Sequence, residues 1–362
     1  MTVGNEPIST SYNEARSKFL ESADTAGAAL HEVRHPNSGP AGEPLFIDFA
    51  SLGPVEAQNA LIVVSGTHGA EGYCGSGCQV DLLRSSGRLA AYGAFHLILV
   101  HAHNPWGFAW GRRVNEDNID LNRNYIDYAG DYPMNEAYQE VADMMRPNML
   151  NESTLSKLEA FLRAYGPGRL ARLVAPGQRV DPKGLFFAGL GPAWSNRIMH
   201  QELPGLVIGN KRIVTIDIHT GLGPYGHGEI LHEYTKGTQP YHSFNHWFEG
   251  EAVSIREGEF AATEGFKPDG DFVSMVAMNA MMPGKEHLSF AVEYGTVDMQ
   301  QIIRALFADN WLFNHGDPLS PKGQAIRAEL TACFHINEDK WHQMVLDRFH
   351  WILDRIAIIG TA

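Results

Sequence analysis

Val63-Val64-Ser65-Gly66-Thr67-His68-Gly69-Ala70-Glu71-Gly72 runs from an apolar segment straight into a glycine-rich turn. The run Leu61 to Val64 reads as a buried strand. Open α/β sheets place their chemistry in loops outside the carboxyl ends of strands, and this loop carries His68 and Glu71. Imidazole nitrogen plus carboxylate oxygen suits zinc, with at least one further ligand from elsewhere. The chain has 17 histidines, and the His-x-x-Glu spacing recurs at His246/Glu249 and His335/Glu338. Neither repeat follows a buried strand directly. His246 lies in an aromatic-rich stretch without a glycine turn, and His335 precedes a helix expected near Glu338 with Asn337 as its cap.

Working outward, Ile213-Val214-Thr215-Ile216-Asp217-Ile218-His219-Thr220-Gly221 is a second β-branched strand ending in a histidine and a glycine turn. His219 would complete a His68/Glu71/His219 triad, and three protein ligands plus water is the usual layout of a catalytic zinc. Side chains alternate along a strand, so Asp217 is expected on the same face as His219, as the acceptor that orients the imidazole. In Ser289-Phe290-Ala291-Val292-Glu293-Tyr294-Gly295-Thr296 a carboxylate interrupts an apolar strand. A buried charge is costly unless paired or shifted in pKa. A glutamate beside an activated water has a use as general base; a salt bridge to an arginine is the plain alternative.

These segments resemble the zinc carboxypeptidase superfamily, including its aspartoacylase and succinylglutamate desuccinylase group. The matching pieces come in order: His68-Gly69-Ala70-Glu71, Asn104-Pro105-Trp106-Gly107, Arg113-Val114-Asn115, Asp120-Leu121-Asn122-Arg123-Asn124, Asp217-Ile218-His219 and Val292-Glu293. They span roughly residues 60 to 297, and the Asp-Leu-Asn-Arg-Asn piece is the most specific. The stretch from Gly177-Gln178 through Gly184-Leu185-Phe186-Phe187 to Trp194-Ser195-Asn196 resembles a bacterial branch of the superfamily. The resemblance implies one zinc per chain held by His68, Glu71 and His219, with Glu293 as general base and later general acid. It implies that Arg113 polarises the scissile carbonyl, the electrostatic role that often dominates catalysis, with adjacent Arg112 as the alternative if the register shifts by one. Asn122 and Arg123 would clamp a substrate carboxylate, which the planar guanidinium meets with two bonds.

The chain departs from the digestive carboxypeptidases where they carry a substrate-covering tyrosine. Tyr225, Tyr234, Tyr241 and Tyr294 are all candidates, and none has a distinguishing context. Residues 223–285 follow no alignable pattern and are expected to hold the determinants of the substrate. His227, His232, His242 and His246 fall there at spacings that match no ligand set, so they read as pocket-lining or structural. His101 and His103 end a strand and are not counted as ligands.

Lys and Arg total 28 against 42 Asp and Glu, a net charge of −14. This argues against nucleic acid and anionic membranes as partners. No basic start or apolar leader opens the sequence and no run reaches the ~18 apolar residues of a membrane helix, so a cytoplasmic location is expected. Cys74, Cys78 and Cys333 make no disulfide framework. The first two lie four apart on one face of a helix, as small packed residues rather than a redox pair. No GxxxxGK[ST] is present, and the glycines around 66–77 do not have the GxGxxG spacing, which sets aside a nucleotide-binding reading.

Helices are expected over Tyr12–Ala23, Gly72–Arg84, Met134–Arg146, Ser153–Tyr165, Met299–Asn314, Lys322–Cys333 and Asp339–Ile358, the last with an apolar stripe through Trp341, Val345, Phe349, Ile352 and Ile356. Extended segments are expected at Ala29–Arg34, Leu45–Ala50, Leu61–Val64, Phe95–Val100, 212–218 and 288–294. Residues 106–132 form a long loop, a length uncommon without function. The alternation predicts one α/β domain over residues 1–362, a three-layer α/β/α sandwich with a mixed, largely parallel sheet, closed by helices over about 299–358. The function expected is a zinc-dependent hydrolase cleaving an amide next to a free carboxylate, carboxypeptidase-like, acting on a small peptide. An N-acyl amino acid deacylase of the aspartoacylase type and a non-catalytic metal-containing binding module are the alternatives.

Overall fold

The computed structural model describes residues 6–130, 135–255 and 270–359. Eight strands form one sheet: β1 (Ala29–Ser38), β2 (Pro44–Leu52), β3 (Asn59–Ser65), β4 (Phe95–His101), β5 (Arg212–Tyr225), β6 (Gly228–His232), β7 (Ala252–Ser254) and β8 (Glu286–Gly295). Their order is β1-β2-β4-β3-β5-β8-β6-β7. The four central strands, β4-β3-β5-β8, are mutually parallel, while β2 joins β4 and β6 joins β8 antiparallel.

Period-two alternation sorts the strand residues into two layers. Leu61 and Val63, Leu97 and Leu99, Val214 and Ile216, and Phe290 and Val292 join one core cluster, together with Cys74 and Cys78 of helix Gly72–Arg84 and the stripe of helix Asp339–Ile359. Ile62, Val64, Ile98, Val100 and Ile213 join the opposite cluster, with Met199 and Leu203 of helix Trp194–Leu206 and Met278 of helix Met275–Met281. The result is the α/β/α sandwich expected, and its central strands are buried on both faces, which is why they read as continuous apolar runs.

The differences are local. The helix expected over Met134–Arg146 begins outside the described residues and is otherwise a 3-10 turn, Glu136–Glu140, followed by the short helix Ala142–Met145. The helix expected to end at Tyr165 continues as Glu152–Val174 after a break at Gly166, where φ is 77° and Pro167 follows. Proline cannot donate to the preceding turn, so the break falls where expected and the chain resumes helix beyond it. The loop 106–132 contains two pieces of helix, Pro105–Trp110 and the 3-10 turn Leu121–Arg123. Residues 223–285 contribute β6, β7 and helices Gln239–Trp247 and Met275–Met281, with 256–269 outside the described residues. No helix among the described residues is long and apolar enough to cross a membrane.

Candidate metal centre

The loop after β3 and the loop 104–123 form one unit. Gly69 N–H donates to Arg113 O at 3.2 Å and Ala70 N–H to Arg112 O at 2.9 Å. A Cβ on Gly69 would sit 1.9 Å from the Gly107 carbonyl carbon, so only glycine allows this approach. Asn104 caps the helix that starts at Pro105, accepting from Gly107 N–H at 2.9 Å. The chain thereby brings Arg113 and Asp120 over the turn that carries His68 and Glu71.

His68, Glu71 and His219 each offer a ligand atom, all within 4.8 Å of one another, and all three are buried. His68 Nδ1 lies 2.9 Å from Glu71 Oε1, and His219 Nδ1 lies 3.0 Å from Glu71 Oε2. The two Nδ1 atoms are 3.1 Å apart. Two imidazole lone pairs at that distance need a proton or a cation between them. The outer nitrogens are held by carboxylates: His68 Nε2 by Asp120 Oδ1 at 3.1 Å, and His219 Nε2 by Asp217 Oδ2 at 2.8 Å. Asp217 is anchored in turn by Thr67 Oγ1, which donates to its Oδ1 at 2.7 Å. Carboxylates on the far nitrogens are how proteins orient and strengthen histidine ligands. Burial works against charge on His219, yet Asp217 and Glu71 hold its pKa well above the ordinary histidine value. Burial likewise opposes the charge on Glu71, and His68 and His219 beside it pull its carboxyl well below the usual range. The pocket thus favours positive charge where the three donors meet, and a nitrogen, nitrogen, oxygen set is one that zinc accepts.

Glu293 stands beside His219 as its register partner on the adjacent parallel strand β8. Its Oε2 is buried and has no hydrogen-bond partner. Burial, then the neighbouring Glu71 carboxylate, push its pKa up to about 8. A divalent cation in the His68/Glu71/His219 set would draw that value back down. Arg113 donates from Nη1 to Glu71 Oε1 and from Nε to Asp120 Oδ2, each at 3.1 Å, and its guanidinium carbon sits 4.9 Å from the ring centre of Phe186. Burial opposes charge on Asp120, but Arg113 and His68 hold its carboxyl well below its usual value.

A cavity of about 770 Å³ opens on this cluster, and His68, His219, Glu293, Arg113, Asn122 and Arg123 all line it. Arg112 does not join them. Its Nε and Nη2 are spent on Asp309, at 2.9 and 2.7 Å, in a buried pair. Asn122 and Arg123 reach the cavity already tied to residues 270–272. Arg123 Nη1 donates to Asp271 Oδ1 at 2.7 Å, Phe272 N–H to Asn122 Oδ1 at 2.9 Å, and Tyr125 N–H to Gly270 O at 2.9 Å. Gly270 has φ +94°, and a Cβ there would lie 2.3 Å from Arg123 O. Burial pushes the Asp271 carboxyl up to about 6 in spite of Arg123.

Two polar residues of this centre had no assigned role in the sequence. Asp120 lay inside the most specific segment, and that position was its only signal. Asp271 lies inside the unalignable stretch 223–285 and had none. Of the four histidines of that stretch, His232 lines the cavity. Among the candidate tyrosines, Tyr294 and Tyr234 are buried and neither lines the cavity.

A search of the curated proteins finds no match. Solved structures similar to this chain include bovine thrombin-activatable fibrinolysis inhibitor in complex with tick carboxypeptidase inhibitor, at 12% identity over 99% of both chains with a TM-score of 0.46. A metallo-carboxypeptidase from Burkholderia cenocepacia is similar at 12% identity, covering 96% of this chain and 69% of that one, with a TM-score of 0.40. A succinylglutamate desuccinylase from a Silicibacter species is similar at 15% identity, covering 80% and 67%, with a TM-score of 0.38. The family model described as "Protein of unknown function (DUF2817)" matches residues 8–348, and the chain belongs to that family.

Proposed function

We propose that the protein is a zinc-dependent amide hydrolase. The observation that carries this reading is the convergence of His68, Glu71 and His219 beside an unpartnered buried carboxylate oxygen of Glu293. Zinc bound there would acidify a water and polarise a carbonyl oxygen. Glu293 takes the proton from the attacking water and returns it to the leaving nitrogen. Arg113, fixed by Glu71 and Asp120, donates to the carbonyl oxygen as charge develops on it. Asp120 and Asp217 hold the two imidazoles in one tautomer and orientation. The substrates are small peptides or N-acyl amino acids whose free carboxylate meets Asn122 and Arg123.

The first test is metal content by mass spectrometry on purified protein, beside Glu71→Ala. About one zinc per chain, lost in the variant, with turnover of an amide, is expected. No metal after zinc reconstitution would end the hydrolase reading and favour a binding module.

A substrate carboxylate shares Arg123 with Asp271, so Asp271→Asn should relieve a competitor. Charge-assisted hydrogen bonds contribute about 1.5–3 kcal/mol, so KM for carboxylate-bearing substrates should fall at least about tenfold with kcat little changed. In the parent protein the same relief should come with acid. Asp271 is ionised above about pH 6, so KM should drop as the pH falls through that value. An unchanged KM in the variant would mean that Arg123 does not meet the substrate.

A further inference from the structure

The cavity has an apolar wall that the steps above leave unused. Met299, Ile302, Ile303 and Leu306 of helix Met299–His315 line it, with Leu170 and Val174 of helix Glu152–Val174. The spacing i, i+3, i+4, i+7 sets the first four on one helix face. That face spans the eight residues from Met299 to Leu306, about 10 Å of helix axis. Asp271, Glu233, Ser274 and Ser289 also line the cavity, so it offers both polar and apolar side chains.

The apolar wall begins at the candidate metal ligands themselves. A Cβ on Gly221, two residues beyond His219, would lie 2.9 Å from Phe334 Cε1 and 3.8 Å from Ile302 Cδ1. Thr220, between them, donates its hydroxyl to Phe334 O at 2.6 Å. On the Arg113 side, Phe186 lines the cavity at φ 52°, in the left-handed region. That conformation costs a bulky residue free energy and persists only where the surroundings enforce it. Here the backbone bond from Gln178 N–H to Phe186 O at 3.0 Å and the guanidinium of Arg113 hold it.

We propose that this wall binds the hydrocarbon chain of a lipophilic acyl group, so that the substrate is a long-chain N-acyl amino acid. This rests on the amide-hydrolase reading and narrows it. A volume of about 770 Å³ is that of a site for a drug-sized ligand. A largely aliphatic wall two helical turns long suits a run of methylenes rather than one compact side chain. Ordered apolar surface beside the scissile carbonyl would convert chain length into binding.

The test uses the zinc-loaded protein and N-acyl glycines from acetyl to dodecanoyl. The expected result is kcat/KM rising by about fourfold per methylene over the first several carbons, then levelling. Ala171, on the same wall, provides a block: Ala171→Phe should move the plateau to shorter chains, with zinc content and circular dichroism reporting its folding. Calorimetric titration of Glu293→Gln with acetyl- and dodecanoyl-glycine reads the same site without turnover. Tighter binding of the longer ligand with a negative heat-capacity change is expected. Chain-length-dependent binding without hydrolysis of any amide would support the lipophilic site and reject the hydrolase reading. A series flat in both binding and turnover would overturn the inference, as would dipeptides with large apolar side chains outperforming every acyl glycine.

Discussion

Glu293→Gln should lower amide hydrolysis by about 10²- to 10⁴-fold, the usual range for loss of a general acid–base group, with zinc content unchanged. Glutamine keeps the shape and removes the proton acceptor. Glu293 sits beside His219 across the β5–β8 ladder, and none of the three candidate ligands bonds to it. The residue is half-buried, and its Oε2 is buried with no partner. An uncompensated buried carboxylate is a burden on the fold, so the variant should be at least as stable as the parent in thermal melts of the metal-free protein. Lost activity with retained stability and metal is the pattern of a residue kept for chemistry. A variant retaining more than a tenth of the activity would remove Glu293 from the acid–base role. Loss of zinc together with activity would place Glu293 among the groups that hold the metal.

What could be read from the sequence follows from which interactions are local. Strands β3, β4, β5 and β8 are buried on both faces, so their apolar runs stand out. A histidine ending such a strand is visible as an interruption, as with His219, and Glu293 interrupts β8 in the same way. Period two also places Asp217 beside His219, and the bond of 2.8 Å between them follows from it. Strand β5 runs on to Tyr225 past Gly221, which reads as a turn in sequence, because β8 pairs with it through Gly295. Helix Trp194–Leu206 escaped notice: Pro204 and Gly205 sit in its last turn, and both residues signal a breaker. Asp271 was illegible for a different reason. It meets Arg123 across 148 residues, through a contact that depends on Gly270 and Phe272 packing against residues 122–125. No spacing rule records such a contact.

Arg113 separates two roles that one substitution alone would confuse. Its Nε and Nη1 serve Asp120 and Glu71, both buried, so Arg113→Met leaves two carboxylates without their guanidinium. Removing one partner of a buried ion pair costs about 3–5 kcal/mol, and a loss of that size is expected for the metal-free variant in urea unfolding. Zinc should restore part of it, because a ligand that binds only the folded state stabilises that state and the cation compensates Glu71. Arg113→Lys keeps the positive charge and loses the planar fork. It should fold, load zinc, and lose hydrolysis by about 10²–10³, the cost of removing one donor to a developing oxyanion. The loss should fall on kcat rather than KM, since that contact strengthens only in the transition state. Should the lysine variant match the parent in kcat while the methionine variant unfolds, Arg113 would be a structural clamp on Glu71 and Asp120 alone. The charge on the carbonyl oxygen would then have to be met by another group.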